Sequence, residues 1–481
     1  MKDLTRRECL KKSAIIAAGV AVAGCSSGSE DVQLLGNPEM MKSGEAYSAY
    51  EGGRVPVAES GWTKPEGVHA GYSSLKRDLR ADVAIVGAGL AGSSLALHLA
   101  KFGVNVALLE ARQPGWGASG RNAGHVLPTM RDLKVFKSFP DQGKQFLEVF
   151  KEHHNIAYDL AEEYAIDCDA AQTGYLDACL SKSAFETYKK LSRFWSEQHG
   201  QQVSFLGETE MRKMAGSSYY PYGVYYHAGG RINPYRFTNG MAAAAESLGA
   251  SIFGESEVTA LTQELGGWRV STAQGSVLAD RVVFCTNAYS SDVVPEFANS
   301  FYPLTAYTIS TKPIPEALKS VILPKRPAFA QMPVDLNPMV IDEHDRIIIS
   351  SIPGASSAGE YQGYFKNHLR WIERTWPEVR DYTLEMESYW TGRVALRDEQ
   401  FPGVYELNKG VYGLMHFNAW GNTMAPLMGR LMAEAIAADD WQKMPAPLQR
   451  PVPVSSPNKQ HLMIRKIMIP AARVVQRFGF I

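Results

Sequence analysis

The chain contains few cysteines, five in 481 residues, and no excess of charge of either sign. Cys9 and Cys25 fall in the first 25 residues, and Cys168, Cys179 and Cys285 are spread over the rest. An odd number without close spacing argues against a disulfide framework and against a zinc site, so we expect no bound metal. We interpret the three later cysteines as buried thiols. The formal net charge of −1, without a basic block, argues against nucleic acid as a partner.

The N-terminal segment lacks an apolar run long enough for a permanent membrane span. Its run from Ala14 to Gly24 is about half of the ~20 residues that a bilayer requires. A basic head with Arg6 and Arg7, this short run and small residues before Cys25 are typical of a signal peptide over 1–24. A plain anchor helix is the alternative.

Two short patterns refine this prediction. The paired arginines resemble a twin-arginine export signal, and residues 22–25 resemble a bacterial lipobox, in which Cys25 carries the lipid after cleavage. We therefore expect a protein that is lipid-anchored on the periplasmic side of a bacterial membrane, and Ser26 favours the outer membrane. Residues 25–78, which are rich in Gly, Ser, Pro and charge, would form a tether and an extended lead-in.

A nucleotide-binding βαβ unit is predicted after the tether. Its parts are a strand over 81–86, the motif Gly-Ala-Gly-Leu-Ala-Gly at 87–92, a helix over 93–102 and a strand over 104–109. Gly87 permits the tight turn, Gly89 lets the backbone approach a pyrophosphate, and Gly92 lets helix and strand pack closely. Glu110, at the end of the second strand, can accept hydrogen bonds from ribose hydroxyls. The fold class is therefore α/β with a Rossmann-type domain.

The polar, glycine-rich loop at 115–125 reads Gly-Trp-Gly-Ala-Ser-Gly-Arg-Asn-Ala-Gly-His. It resembles the loop after the second strand in the glycine oxidase and D-amino-acid oxidase family of flavoenzymes. The branch that it resembles most includes gamma-glutamylputrescine oxidoreductase. Further segments that resemble the family's patterns are 228–234, 280–289, Trp390-Thr-Gly392 with Pro402, and 420–424. The resemblance covers most of the chain beyond residue 80 and implies FAD as the cofactor.

The resemblance implies a Rossmann-type FAD-binding domain with an inserted antiparallel-sheet substrate domain (α/β plus α+β), and both domains are discontinuous. The FAD-binding domain would take residues 79–130, 226–299 and 386–440, and the substrate domain 131–225 and 300–385. Residues 441–481 form a C-terminal tail that is apolar with interspersed basic residues. This tail either docks on the core as a helix or lies on a membrane surface or a partner.

The motif and the resemblance together predict a set of FAD-binding residues. They are Gly87, Gly89, Leu90, Ala91, Gly92, Glu110, Ala111, Arg112, Ser119, Gly120, Arg121, Asn122, Gly124, His125, Val258, Thr286, Asn287, Gly392, Gly421, Asn422, Thr423 and Met424. Ser119, Arg121 and Asn122 would donate to phosphate or flavin carbonyls. Val258 would meet adenine through its backbone, on a strand over 256–261. His125 would touch the flavin, with a covalent bond to it as a further alternative.

The resemblance gives the last helix, from about residue 420 to 437, a part in the chemistry. Its N-terminus would face the flavin edge that becomes negative on reduction, where oriented N–H groups favour hydride acceptance. Relatives usually show G-x-x-G-x-G before this helix, and this sequence has Phe417, Ala419 and Gly421 in the corresponding places. The bulky Phe417 and Trp420 are therefore expected to reshape the flavin edge.

Four residues are candidates for the catalytic side of the site: Trp390, Arg393, Tyr226 and His416. Arg393 would either pair with a substrate carboxylate or have a structural role. His416 would either face the flavin or be a satisfied core histidine. The aromatic run 219–227 would either pack as a sheet face or form a cage for an amine.

The resemblance implies oxidation of a small amine or amino acid. The hydrogen on the α-carbon would leave as hydride to flavin N5, and water would hydrolyse the resulting imine. Either O2 or a quinone or other electron carrier would reoxidise the flavin. Two alternatives are an enzyme that oxidises a residue of a partner protein, and a non-catalytic flavin-binding sensor or assembly factor.

Overall fold

A computed structural model of the chain describes residues 59–63, 71–333, 337–352, 361–399, 401–454, 463 and 467–477. The predicted signal peptide, Cys25 and most of the predicted tether lie outside the described residues. The helices are α1 Leu90–Lys101, α2 Lys144–His153, α3 Ile156–Glu163, α4 Lys182–His199, α5 Glu208–Ala215, α6 Pro234–Ser247, α7 Pro295–Ala298, α8 Tyr361–Thr375, α9 Gly421–Ala437 and α10 Ile469–Arg477.

The strands form one large sheet around the nucleotide motif and a second sheet beside it. They are β1 Leu79–Val86, β2 Val106–Leu109, β3 His125–Val126, β4 Tyr175–Cys179, β5 Val203–Leu206, β6 Tyr222–Tyr226, β7 Gly230–Arg231, β8 Ser251–Phe253, β9 Ala260–Glu264, β10 Gly267–Ser271, β11 Ser276–Phe284, β12 Tyr302–Pro313, β13 Ala328–Met332, β14 Met339–Ile341, β15 Arg346–Ser351, β16 Met386–Leu396, β17 Gly403–Asn408, β18 Val411–Met415 and β19 Leu448–Gln449. A short antiparallel pair, β3 with β7, stands apart from both sheets.

The first sheet has nine strands and a parallel centre. Its order is β19-β17-β18-β11-β1-β2-β8, and the antiparallel hairpin β9-β10 joins it through β11. Residues 83–86 of β1 are buried, as expected of a parallel strand that is covered on both faces. On one side, α1 packs against α6 and α9. The carboxyl ends of β1, β2 and β11 therefore meet at one edge of the sheet.

The second sheet has eight strands in the order β16-β12-β15-β14-β13-β4-β6-β5. It is antiparallel apart from the parallel pair β4 and β13. One face packs against α8 through Tyr364 and Trp371, and the opposite face buries Tyr175, Tyr226 and Trp390. The predicted fold class, a Rossmann-type domain with a second, largely antiparallel sheet, is confirmed.

Two local expectations differ from the structure. The strand expected over 256–261 begins four residues later, since β8 ends at Phe253 and β9 begins at Ala260, and Val258 is buried in the connection between them. Residues 386–396, expected in the FAD-binding domain, form β16, which pairs with β12 of the second sheet. The remaining domain boundaries stay predictions.

Burial in the structure tests the predictions for the cysteines and for the C-terminal tail. Cys168, Cys179 and Cys285 are buried free thiols, as predicted, and burial raises the pKa of Cys168 to about 12. In the tail, Ile469 is buried whereas Met468 is 54% exposed, so both alternatives for this segment stay open. Among the described helices, none is both long and apolar enough to cross a membrane.

Candidate functional site

A cavity of about 430 Å³ opens at the carboxyl ends of β1, β2 and β11. Ligands bind at such ends in doubly wound sheets because the connecting loops there present backbone N–H groups and helix N-termini. Predicted FAD-binding residues that line the cavity are Gly87, Gly89, Glu110, Ala111, Arg112, Ser119, Val258, Thr286 and Asn287. The nucleotide motif and three distant segments therefore meet in one cavity.

The glycines of the motif are required by close backbone contacts. Gly87 has φ +102°, and a Cβ there would lie 3.1 Å from the carbonyl of Cys285. A Cβ at Gly92 would overlap the carbonyl oxygen of Gly87, and one at Gly89 would lie 2.7 Å from Ser119 Oγ. The backbone can therefore keep this turn, and leave the cavity open above it, only with glycine at 92.

Glu110 lies at the end of β2 and faces the cavity. Its Oε2 accepts a hydrogen bond from the Ala88 N–H at 2.8 Å, and its Oε1 accepts one from the Arg112 N–H at 3.0 Å. Burial raises the pKa of Glu110, and these N–H groups oppose the shift by stabilising the carboxylate. Each oxygen keeps acceptor capacity, which fits ribose hydroxyls as donors.

The glycine-rich loop forms another wall of the cavity, through Trp116, Gly117, Ala118 and Ser119. Residues Ala118–Gly120 form a 3-10 turn. Ser119 Oγ accepts a hydrogen bond from the Leu90 N–H at 2.9 Å, which ties this wall to the first turn of α1.

The side chain of Arg121 makes hydrogen bonds within the protein, and its donation to phosphate or flavin stays a prediction. Its Nε donates to the Trp116 carbonyl at 2.6 Å, and one terminal nitrogen donates to the Thr391 carbonyl at 3.1 Å. The guanidinium also lies 5.0 Å from the centre of the Trp116 ring. Arg121 therefore joins the loop to β16 of the second sheet.

The same loop continues to the N-terminus of α9. The amide groups of Asn122 and Asn422 exchange two hydrogen bonds, at 3.1 and 3.0 Å. Asn422 Nδ2 also donates to the His125 carbonyl at 2.8 Å, and Thr423 Oγ1 donates to the Leu127 carbonyl at 3.0 Å. The predicted flavin-side residues thus form a connected path from the loop to α9.

Residues in the turn before α9 have the left-handed backbone that glycine favours, although these residues are not glycine. His416, Asn418 and Ala419 have φ values of +62°, +47° and +67°. Counted back from Gly421, G-x-x-G-x-G begins at residue 416, so His416, and not Phe417, takes the place of the first glycine. Both replaced glycine positions therefore adopt a left-handed conformation that disfavours side chains.

The remaining predicted FAD-binding residues lie beside the cavity or along the path to α9, and not in the cavity lining. They are Leu90, Ala91, Gly92, Gly120, Arg121, Asn122, Gly124, His125, Gly392, Gly421, Asn422, Thr423 and Met424. A Cβ at Gly392 would lie 3.2 Å from Arg121 Cβ, so β16 passes directly against the loop. Their contact with FAD stays a prediction.

Sequence reasoning missed several residues that line the cavity. Trp116 and Tyr289 contact each other edge to face, with ring centres 5.8 Å apart, and Tyr289 Oη accepts a hydrogen bond from the Arg393 N–H at 3.1 Å. Both residues lie inside the segments that resemble the family, close to Ser119 and Asn287, which were predicted to bind FAD. Ser256, Ser290 and Ser291 also line the cavity. No motif marks these serines.

The catalytic candidates have other partners in the structure. His416 is fully buried, with Nδ1 2.8 Å from Tyr405 Oη and Nε2 3.2 Å from Ser300 Oγ, and burial lowers its pKa to about 3. This is a satisfied core histidine, with neither ring nitrogen left for a substrate. Tyr226 Oη likewise pairs with Ser192 Oγ at 2.7 Å.

Trp390 and Arg393 lie on β16, which crosses the loop. Trp390 is fully buried and its Nε1 donates to the Arg121 carbonyl at 3.0 Å, which gives it a positioning role. Arg393 is partly buried beside Tyr289 at the cavity wall. A part for Arg393 in binding a substrate carboxylate stays a prediction.

The aromatic run 219–227 packs on both faces of the second sheet. Tyr220 lies in the core beneath α8 and donates a hydrogen bond to Gln331, whereas Tyr226 lies in the core on the opposite face. These rings therefore do not form a single cage, and the interpretation as a sheet face is the one that the structure supports.

Comparison with known proteins identifies the family. The family described as DAO, FAD dependent oxidoreductase, matches residues 82–435. Gamma-glutamylputrescine oxidoreductase of Escherichia coli (strain K12) is 28% identical over 377 residues, which cover 77% of this chain and 87% of that protein. Glycine oxidase of Geobacillus kaustophilus (strain HTA426) is 23% identical over 373 residues, covering 74% and 93%.

A solved structure shows that the fold is shared. The crystal structure of glycine oxidase from Bacillus cereus ATCC 14579 has a TM-score of 0.60 at 21% identity and covers 75% of this chain and 96% of that one. The family match spans far more than half of the 481 residues. The glycine turn, Glu110 and the cavity above them suit the nucleotide part of FAD. The chain therefore belongs to the DAO family of FAD-dependent oxidoreductases, with FAD as its cofactor.

Proposed function

We propose that this chain oxidises a small amine or amino acid. The bond between the α-carbon and its hydrogen breaks, the electron pair leaves with the hydrogen as hydride to the flavin, and the nitrogen loses a proton to give a neutral imine. Water then converts the imine to a carbonyl compound and releases ammonia or a smaller amine. The family match over residues 82–435 carries this proposal, together with relatives named for oxidation of glycine and of gamma-glutamylputrescine.

The second sheet has an apolar face beside the glycine-rich loop at 115–125, which we call the flavin loop. Ala330, Met332, Val340 and Ile348 are buried on the same face as Trp390, which is hydrogen-bonded to the loop. Exclusion of water at such a surface favours the neutral form of an amine, and hydride transfer requires this form because its nitrogen lone pair is free.

A charged cluster lies on the same face and was missed by the sequence reasoning. Arg131 donates to Tyr175 Oη at 2.7 Å and lies 3.1 Å from the carboxylate of Asp177, and burial raises the pKa of Asp177 to about 6. The His125 ring contacts Tyr175 edge to face, with centres 5.3 Å apart, and His125 belongs to the flavin loop. We propose that this cluster orients the polar end of the substrate.

Product analysis tests the proposed reaction. Full-length protein loaded with FAD is incubated with pooled amino acids and primary and secondary amines, and carbonyl products and ammonia are quantified. We expect one carbonyl per amine consumed. Hydrogen peroxide formed in air would identify O2 as the acceptor, and turnover that needs an added quinone would identify a dehydrogenase.

A matched variant controls for adventitious turnover. Gly92→Val places a side chain against the Gly87 carbonyl and should abolish FAD binding and product formation together. A wild-type protein that holds FAD yet consumes none of these substrates would contradict the proposal.

We also propose that the protein is exported and held on the periplasmic side of a bacterial membrane by a lipid at Cys25. The support is the lipobox-like segment 22–25 behind a short apolar run and a twin-arginine-like head. Cys25→Ser should move the protein from the detergent-rich to the aqueous phase on detergent partitioning, and Cys168→Ser should not. Equal partitioning of wild type and Cys25→Ser would overturn the lipid anchor.

A further inference from the structure

Residues 59–63, which we call the strap, precede the family domain at 82–435, and yet the central three, residues 60–62, are buried in its interior. Trp62 is 1% exposed, and Ser60 and Gly61 are buried as well. Trp62 belongs to the apolar cluster on the face of the second sheet that also contains Trp390. The strap therefore lies between the second sheet and the flavin loop.

The strap binds the flavin loop through two main-chain carbonyls. Ser60 Oγ donates to the Gly120 carbonyl at 2.7 Å, and Trp62 Nε1 donates to the Asn122 carbonyl at 2.8 Å. Gly124 has φ +75°, and a Cβ there would lie 2.9 Å from the Trp62 ring. The indole and the loop are therefore fitted closely to each other.

The strap is itself held by groups on the other side. Arg346 of β15 donates to the Gly61 carbonyl at 3.2 Å, and Asn233 Nδ2 donates to the Trp62 carbonyl at 3.0 Å. A Cβ at Gly61 would lie 2.6 Å from the Trp390 ring and 3.0 Å from Ser388 Cβ. The strap thus connects the second sheet and the start of α6 to the loop.

Three consecutive carbonyls of the loop are fixed in this way. The Gly120 and Asn122 carbonyls accept from the strap, and the Arg121 carbonyl between them accepts from Trp390 Nε1 at 3.0 Å. This stretch directly follows the cavity wall at 117–119. A loop that is ordered before its ligand arrives loses less conformational entropy on binding.

We propose that the strap is a positioning element of the FAD site: Ser60 and Trp62 hold the flavin loop in its binding conformation without touching the nucleotide cavity. Loss of either hydrogen bond weakens FAD binding because the loop must then be ordered when FAD binds. The inference concerns the cofactor, and it stands whatever substrate is oxidised.

FAD titration of apoprotein tests this role, with flavin fluorescence and visible circular dichroism as readouts. Trp62→Phe keeps an aromatic ring, smaller than the indole, and removes the Nε1 donor, and we expect FAD affinity to fall about tenfold. Gly61→Ala, which pushes the strap off Trp390, should weaken FAD binding similarly. Trp268→Phe is the matched control, because Trp268 Nε1 also donates to a backbone carbonyl, that of Lys409 at 3.1 Å, and lies in the hairpin β9-β10, which contributes no residue to the cavity lining.

A strap with only a structural role would affect folding and leave FAD binding unchanged. If Trp62→Phe and Gly61→Ala lower the melting temperatures of apoprotein and holoprotein equally and leave FAD affinity and flavin dichroism at the level of Trp268→Phe, the strap is structural only. Ser60→Ala, which removes one hydroxyl, serves if the other variants fail to fold. Failure of wild-type protein to turn over amines would contradict the proposed function and would leave this test unaffected.

Discussion

At the scale of single residues, backbone conformation decides which positions of the site accept a side chain. Gly92 was predictable because its motif follows a strand and opens a helix, a context in which close packing demands glycine. His416 and Ala419 were not predictable in this way, since their left-handed φ values contradict their residue types. A left-handed conformation costs a residue with a side chain roughly 1–2 kcal/mol, so this turn is strained.

The strained backbone at Ala419 predicts that a glycine there raises the free energy of unfolding, whereas glycine usually lowers it. Ala419→Gly removes an unfavourable left-handed alanine but adds freedom to the unfolded chain, so we expect a net gain of about 0.5–1 kcal/mol in the free energy of unfolding. The matched change Ala425→Gly, inside α9, should cost about 1 kcal/mol or more because helical glycine is disfavoured. Denaturant unfolding of both variants checks this, and two losses of equal size would contradict the strained turn.

At the scale of secondary-structure elements, the crossing of α1 and α9 sets the position of the flavin-side turn. A Cβ at Gly429 of α9 would lie 2.8 Å from the Ala91 carbonyl and 3.0 Å from the Leu95 nitrogen. Ser94 Oγ also donates to the Pro426 carbonyl at 2.8 Å. Helical spacing predicted α1 and the family resemblance predicted α9, each to within a few residues, but neither predicted their close approach, which depends on tertiary packing.

The strand expected over 256–261 shows why short elements are harder to predict. Val258 was placed on it by resemblance, and the residue does reach the cavity, but from an irregular connection. Ser256 Oγ donates to the Gly254 carbonyl at 2.7 Å and accepts from the Leu75 N–H at 2.8 Å, which fixes this connection without a strand ladder. Such side-chain contacts between distant segments leave no local pattern in the sequence.

The helix crossing predicts the effect of a single methyl group. Gly429→Ala forces two backbones apart, at a cost of about 1–3 kcal/mol that the better helix propensity of alanine offsets by at most about 1 kcal/mol. We expect a net loss of stability and weaker FAD binding, because the α9 turn shifts. Glu434→Ala, on a partly exposed part of the same helix, should change stability by at most about 0.5 kcal/mol. Thermal unfolding and FAD titration measure both, and a neutral Gly429→Ala would contradict the tight crossing.

At the scale of the whole molecule, the two sheets were predictable to different degrees. The first follows from the βαβ pattern, whose glycines and acidic residue have defined physical tasks. The second was accessible through resemblance alone, because its strands pair across long sequence separations, as β12 does with β16. The strap was placed in the tether and lead-in because residues 25–78 lack sustained apolar periodicity, and Trp62 is the one large apolar residue among 59–63 that indicates packing.

Buried histidines throughout the molecule predict instability in acid. Burial lowers the pKa of His98 and His125 to about 4 and that of His416 to about 3. The unfolded chain then binds more protons than the folded one below about pH 6.5, so the free energy of unfolding falls as the pH drops. Burial also raises the pKa of Asp177 to about 6 and the pKa values of Glu110 and Asp342, and these carboxyls oppose part of the loss because the folded state binds their protons more tightly. We expect a net loss of stability on the order of 1 kcal/mol per pH unit between pH 6 and 4.5.

Denaturant unfolding across this pH range checks the prediction. His416→Asn should make the dependence shallower, because asparagine tolerates the left-handed backbone at this position and does not titrate. His154→Asn, at a partly exposed position, serves as the control. A free energy of unfolding that stays level from pH 6.5 to 4.5 would contradict the account.

Anaerobic reduction of the bound flavin tests directly whether this protein oxidises a small amine or amino acid. The protein is purified from Cys25→Ser with its FAD, mixed without oxygen with pooled amino acids and amines, and followed by its visible absorbance. We expect the flavin band to bleach with at least one member of the pool, as electrons pass from the substrate to FAD. A band that persists with every member, in protein whose FAD is reduced normally by dithionite, would contradict oxidation of small amines.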